Sequence, residues 1–236
     1  MANNYFSFKQ FTVYQDKCAF KVGTDGVILG AYADVSGVRN ILDIGTGTGL
    51  LALMLAQRSN AKITAIEPDK ESFCQACSNV TDSKWNDRIK VINTTLQDYH
   101  PGSEKFDLIV TNPPFFTDSL RNPDQVKAAA RHNFLLDNDD LLEGVRRLMA
   151  EGGRLQVIMP YAEGNILIAE AQGYGLYCNN ILKIRPLPAS GIRRLILTFS
   201  RLQKKPAEQF LTIEHGKRHE FTEEYINLTK EFYLKF

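Results

Sequence analysis

From residue 40 onward, short apolar runs alternate with stretches that repeat apolar residues at helical spacing. Residues 40–44 read as a strand and 49–58 as a helix; 62–67 follow as a strand and 69–81 as a helix. Residues 89–92 and 106–110 are a third and a fourth strand. A helix over 138–149 leads through the Gly152-Gly153 turn into a strand over 154–159. Alternation of this kind predicts an α/β fold, a parallel sheet with helices on both faces. Two later β-rich runs, 177–185 and 193–200, are joined by the linker PLPASG and should form an antiparallel pair at one sheet edge. The stretch 6–20 has strand-like alternation and predicts a hairpin or irregular cap over one end of the sheet. Residues 222–233 read as a helix with Thr222 as its cap and Glu223 and Glu224 in its first turn.

Size and composition narrow the class without naming a chemistry. The 236 residues, 44% hydrophobic, suit one domain with a single large core. Its expected parts are an N-terminal cap over residues 1–35, a core over 36–201 and a C-terminal extension over 202–236. No apolar run nears the ~18 residues of a membrane span, and the start MANNYFSFKQ lacks the order of a signal peptide, so the expectation is a soluble cytoplasmic protein without a membrane partner. Cys74 and Cys77 form a CxxC inside a helical stretch with no second pair at zinc spacing. They read as two small buried residues on one helix face, and no metal site is expected. A net charge of +1 neither demands nor forbids a nucleic-acid partner, which would have to be met by a local patch.

The first strand runs into Asp43-Ile44-Gly45-Thr46-Gly47-Thr48-Gly49. Glycines here let the backbone turn sharply and let a ligand approach the N-terminus of a helix. The spacing is GxGxG, with Leu50 where a dinucleotide fingerprint carries its last glycine. Asp43 would repel a pyrophosphate and suits a ligand with a cationic centre. S-adenosylmethionine, with a sulfonium and an ammonium, is such a ligand. Glu67 ends the second strand at the place where a carboxylate accepts ribose hydroxyls. Asp98, after the third strand, is placed to accept the exocyclic amine of the adenine, with Leu96 or Gln97 against its face; it also reads as a solvated loop carboxylate.

The fourth strand ends in Asn112-Pro113-Pro114-Phe115. Consecutive prolines cannot extend a sheet ladder, because neither has an N–H to donate. Ligands of open α/β sheets bind beyond the carboxyl ends of the strands, so this loop should lie beside a methyl donor. A nucleobase amine is a weak nucleophile because its lone pair is delocalised into the ring. The Asn112 side-chain oxygen and the Pro113 carbonyl can each accept one of its hydrogens, held in position by the stiff loop. Phe115 offers a flat face on which an extruded base can stack. Phe116 reads as core, and the loop over 116–127 as a lid.

With these segments in view, ILDIGTGTGLLAL (41–53) and NPPF (112–115) resemble the cofactor and catalytic motifs of class I amino-methyltransferases. KVGTDGVILGAY, ARHNF and the ending EFYLKF are similar to the bacterial tRNA1(Val) (adenine(37)-N6)-methyltransferase family, and the resemblance covers nearly the whole chain. It implies a Rossmann-like, mostly parallel seven-stranded sheet with an antiparallel edge. It also implies methyl transfer from S-adenosylmethionine, leaving S-adenosylhomocysteine, to the N6 amine of the adenosine just 3′ of a tRNA anticodon. By position, Lys21, Gly23, Thr24 and Asp25 would contact the methionine end of the donor. Asp43, Gly45, Gly47, Glu67, Asp98 and Asn112 would hold the rest, and Asn112, Pro113 and Phe115 the target base.

The tRNA itself would be met by Pro114, by Arg131 and His132 at the mouth, and by Arg193, Arg194, Lys217 and Arg218. Each of these charges also reads as an ordinary solvated one. No protein partner is called for. NPPF-type loops equally serve guanine N2 in ribosomal RNA, adenine N6 in DNA and a glutamine amide in release factors. The release-factor version carries a helical N-terminal domain for which the residues before the first strand are too short. A catalytically silent RNA-binding module of the same fold is the alternative from another class.

Overall fold

The alternation becomes a sheet in the computed structural model, which describes residues 3–18, 20–113 and 136–235. Strands β3 (Asn40–Ile44), β4 (Lys62–Ile66), β5 (Ile89–Ile92), β6 (Phe106–Thr111) and β7 (Met149–Pro160) are mutually parallel. β9 (Arg194–Ser200) pairs antiparallel with both β7 and β8 (Tyr177–Arg185). β10 (Ala207–Thr212) then adds to β8 in parallel. The order across the sheet is β10-β8-β9-β7-β6-β3-β4-β5.

Among the described residues this is eight strands, one more than the expected count of seven. The added strand falls in the stretch assigned by sequence to the C-terminal extension. Its first four residues are exposed and only Leu211 and Thr212 are buried, so its sequence, AEQFLT, carries no apolar signal. It is β10, and not the antiparallel pair, that forms the edge; β9 lies inside the sheet.

Helices cover both faces. α1 (Thr24–Tyr32), α2 (Leu50–Arg58) and α3 (Lys70–Thr81) lie on one side; α4 (Asn138–Leu148) and α5 (Tyr161–Ala171) lie on the other. α1 was not foreseen. Every residue from Gly26 to Ala31 is buried, so it shows no polar stripe and reads in sequence as an apolar run. Its last carbonyls are held by the end of α2, where Arg58 Nη1 donates to Gly30 O at 2.8 Å and Ala33 O at 2.7 Å. α5 follows Pro160 directly, has no side-chain cap and carries Gly164 in its interior, which hides it from pattern reading.

The N-terminal stretch forms the expected hairpin, β1 (Tyr5–Ser7) against β2 (Thr12–Tyr14), separate from the main sheet. It is clasped from two directions. The final helix, α6 (Glu223–Thr229, capped by Thr222), and the residues after it bring Tyr233 against Phe6 and Phe8, while Lys9 N donates to Phe232 O at 2.8 Å. From the other direction, α3 offers polar side chains to the hairpin backbone. Asn79 Oδ1 accepts from Tyr14 N at 2.9 Å, and Gln75 Oε1 accepts from Lys17 N at 3.3 Å. This reverses the expectation for the CxxC. The buried face of α3 is Ser72, Gln75, Ala76, Asn79 and Val80, because the hairpin needs hydrogen-bond partners there; Cys74 is therefore exposed and Cys77 half-buried.

Candidate active site

The chain runs β3, β4, β5 in one direction across the sheet, then returns to place β6 on the other side of β3. The carboxyl ends of β3 and β6 thus flank the point where strand order reverses, the usual crevice for ligands in open α/β sheets. Ile44 is level with Ile66 on one side and with Thr111 on the other. Gly45, Glu67 and Asn112, each one residue further on, therefore emerge side by side. Thr111 Oγ1 donates to Ile44 O at 2.9 Å and ties the two ends together.

The glycine loop needs its glycines. Gly45, Gly47 and Gly49 have φ of 68°, 56° and 83°, a region in which a side chain costs about 1 kcal/mol or more. The turn is fixed by Gly45 N and Thr46 N donating to Ile66 O, and by Gly47 N donating to Glu67 Oε2 at 2.8 Å. The other Glu67 oxygen accepts from Asp69 N at 3.0 Å. Burial pushes the Glu67 carboxyl up, and the Gly47 and Asp69 amides pull it back only in part.

Asp43 is fully buried under this loop. Thr46 Oγ1 donates to its Oδ2 at 2.5 Å. Its Oδ1 has no hydrogen bond of ordinary geometry among the described residues, although the backbone amide of Ala52, in the first turn of α2, lies close enough to favour the ionised form. Burial dominates and raises the Asp43 carboxyl to about 7. A buried acid with an orphaned oxygen, beside the Glu67 carboxylate, fits a ligand that brings positive charge and would resist a pyrophosphate.

The remaining expected residues divide. Asn112 is half-buried and Pro113 buried at the end of β6. A methyl group added to Gly26 would lie 3.7 Å from Asn112 Nδ2 and 3.1 Å from Leu50 Cδ2, so the first turn of α1 faces the amide. Gly23 is the N-cap of α1; Lys21, Gly23 and Thr24 are exposed just before and at its start. Asp25 is engaged by Arg194, whose Nε donates to Asp25 Oδ2 at 2.7 Å. Asp98 is exposed and exchanges hydrogen bonds with Thr95. Leu96 is buried against Gly144 of α4, while Gln97 donates to Asp140. Pro114, Phe115, Phe116, Arg131, His132 and the expected lid lie outside the described residues.

One participant escaped the sequence. Asn79 Nδ2 donates to Thr48 O in the glycine loop and to Tyr14 O in the hairpin, both at 2.8 Å. It joins the N-terminal hairpin to the glycine loop. The only hint in the sequence is a polar amide where the helix period calls for an apolar residue. Cys18, also near Glu67, is buried with its thiol raised to about 11, so it stays protonated and is no nucleophile at neutral pH.

Comparison with known proteins gives the family and the fold. The family described as methyltransferase small domain matches residues 29–162. A protein of Phocaeicola vulgatus named tRNA1(Val) (adenine(37)-N6)-methyltransferase is 51% identical over 236 residues, 99% of each chain. One of the same name from Trichodesmium erythraeum is 45% identical over 240 residues, 100% of each chain. Among solved structures, a "predicted O-methyltransferase" from Agrobacterium tumefaciens superposes with a TM-score of 0.63 at 21% identity, covering 88% of this chain and 96% of that one. A glycopeptide N-methyltransferase complexed with S-adenosylmethionine gives 0.56 at 12% identity, covering 78% and 90%. The structural likenesses establish the fold, a class I methyltransferase sheet.

Proposed function

From the premise that the chain belongs to the tRNA1(Val) (adenine(37)-N6)-methyltransferase family, we propose how its residues methylate N6 of adenosine 37 in tRNA1(Val). The observation that carries this reading is the emergence of Gly45, Glu67 and Asn112 side by side at the strand-order switch.

S-adenosylmethionine supplies a methyl group on a sulfonium. Glu67 accepts the ribose hydroxyls, Asp43 provides the negative field and Asp98 lies toward the adenine. Lys21, Gly23 and Thr24 border the methionine end. The Asn112 oxygen and the Pro113 carbonyl accept the two N6 hydrogens, which turns the amine lone pair out of the ring toward the methyl. The N–C bond would form as the C–S bond breaks, the electron pair staying on sulfur, and the surplus N6 proton would leave to solvent. Phe115 stacks on the extruded base.

The anticodon loop would approach along the same rim. β8 and β10 run parallel to β7 and β6, so their carboxyl ends reach the end of the sheet that bears Asn112. There Ile213 N donates to Arg185 O and Glu214 N to Pro186 O, and a bridge between Glu214 and Phe221 closes a short hairpin. Its tip exposes Lys217 and Arg218, and Arg193 is exposed nearby. Separate in sequence, these charges share one rim. Replacing Lys217 and Arg218 together by alanine should weaken tRNA binding and flatten its dependence on log salt by about 1–2, read by titration at several ionic strengths.

Asp43 adds a pH signature. An acid raised to about 7 favours its neutral form, so its share of the stability of the free protein is present below pH ~4 and is lost as pH rises through 7. A cationic ligand favours the ionised form. Its affinity should rise by about threefold to tenfold from pH 6 to 7.5, with proton release, and Asp43→Asn should remove most of that rise. Calorimetric titration in buffers of different ionisation heat checks both.

We read the chain as one functional unit, working in the cytoplasm without a protein partner; among the described residues no helix is long and apolar enough to cross a membrane. The direct test is a methyl-transfer assay on unmodified tRNA, ribosomal RNA and duplex DNA, with nucleoside mass analysis. N6-methyladenosine confined to tRNA supports the reading. Methylated guanosine in ribosomal RNA would replace the substrate, and no product despite cofactor binding would favour a silent RNA-binding module.

A further inference from the structure

The two residues expected to meet different ligands, Asp25 the donor and Arg194 the RNA, meet each other. Arg194 Nε donates to Asp25 Oδ2 at 2.7 Å and its Nη1 donates to Arg193 O at 3.1 Å, with the two charged side chains 36% and 30% exposed. Two of the three guanidinium nitrogens are thus committed within the protein. The base of the arginine is rigid, because Arg194 opens β9 with Pro160 of β7 on one side and Ile184 of β8 on the other. The other end of the pair has fewer ties of its own. Asp25 sits in the first turn of α1, whose N-cap Gly23 makes no side-chain capping bond. The next residue, Gly26, faces Asn112: a methyl group on it would lie 3.7 Å from Asn112 Nδ2.

We infer that Arg194 is a positioning residue for methyl transfer: by holding Asp25 it fixes the first turn of α1 against the Asn112 amide. The chain of contacts is short and physical. The β8–β9 pair anchors the guanidinium, the guanidinium anchors the α1 turn, and the turn borders the space of the Asn112 side chain. An acceptor displaced by a fraction of an ångström loses its alignment with the amine hydrogen while the cofactor loop, built on β3 and β4, is untouched.

The inference rests on the proposed use of Asn112 as an acceptor, and it can be tested separately from the substrate. Arg194→Gln should shift the side-chain amide resonance of Asn112 in 15N-labelled protein, whereas Arg193→Gln, one residue away, should not. At saturating tRNA and S-adenosylmethionine, Arg194→Gln should lower kcat on the order of tenfold with the tRNA Kd within about twofold, and Arg194→Lys should recover part of the loss. An unmoved Asn112 resonance with intact kcat, weaker tRNA binding and a salt slope reduced by about 1 would overturn the inference and make Arg194 a phosphate contact. A loss of rate matched by loss of folded protein, and not relieved by lysine, would overturn it as well. If the wild-type protein methylates no tRNA, it is the substrate reading that fails, and the Asn112 resonance alone decides the role of Arg194.

Discussion

Asn112→Ala is expected to lower turnover by about 100-fold to 1,000-fold while leaving S-adenosylmethionine affinity within about threefold. The size follows from the chemistry. The amine of adenine needs its lone pair freed from the ring, and a fixed acceptor works only if its cost of alignment is met before the reaction. The scaffold meets that cost: β6 ends at Thr111, whose hydroxyl is bound to Ile44 O, and the next residue is followed by a buried Pro113. Alanine removes the acceptor and leaves the strand, the Thr111 bond and the glycine loop in place. Single-turnover rates beside calorimetric titration of the cofactor separate the two effects. Parallel loss of cofactor binding would show that the loop is structural and would remove Asn112 from the chemistry.

Glu67→Ala should act on the opposite side of the reaction, weakening S-adenosylmethionine binding by about 100-fold. Two hydrogen bonds to a charged acceptor, each contributing about 1.5–3 kcal/mol, would be lost, and a factor of 100 needs about 2.7 kcal/mol. The Gly47 amide also loses its partner, which loosens the turn that the ligand approaches. The free protein should suffer less than the complex, because burial already disfavours the Glu67 charge. The informative measurement is therefore the rise in Tm on adding cofactor. It should be large for the wild type and nearly absent for Glu67→Ala. An undiminished rise would place the ribose elsewhere.

Much of the site was legible because it rests on backbone demands that only certain residues meet. Three glycines at positive φ and a carboxylate one strand away leave a mark in any sequence. The strands β3 to β6 were legible because strands buried on both faces become continuous apolar runs. What sequence could not show is where burial breaks the pattern or where partners come from afar. α1 is apolar all round, α5 begins at a proline, and β10 is a polar edge. The pairing of Asp25 with Arg194 joins residues 169 positions apart, and neither has a local sign of the other. The same holds for Asn79, whose two carbonyl partners lie on different segments. The CxxC misled for a related reason: a helix face buries polar residues when a foreign backbone needs them.

The clasp between the first hairpin and the last residues has a consequence for how the protein is made. Lys9 reaches Lys230, 221 positions later, and the Phe6 and Phe8 rings wait for Tyr233. At a synthesis rate of about 5–20 residues per second, that is a delay of roughly 10–45 s. The central strands and the glycine loop can assemble on the ribosome in that interval, since their partners are near in sequence. The hairpin cannot be clasped until residues 230–233 emerge. A nascent chain thus carries its glycine loop for some time before residues 230–233 arrive to hold the hairpin.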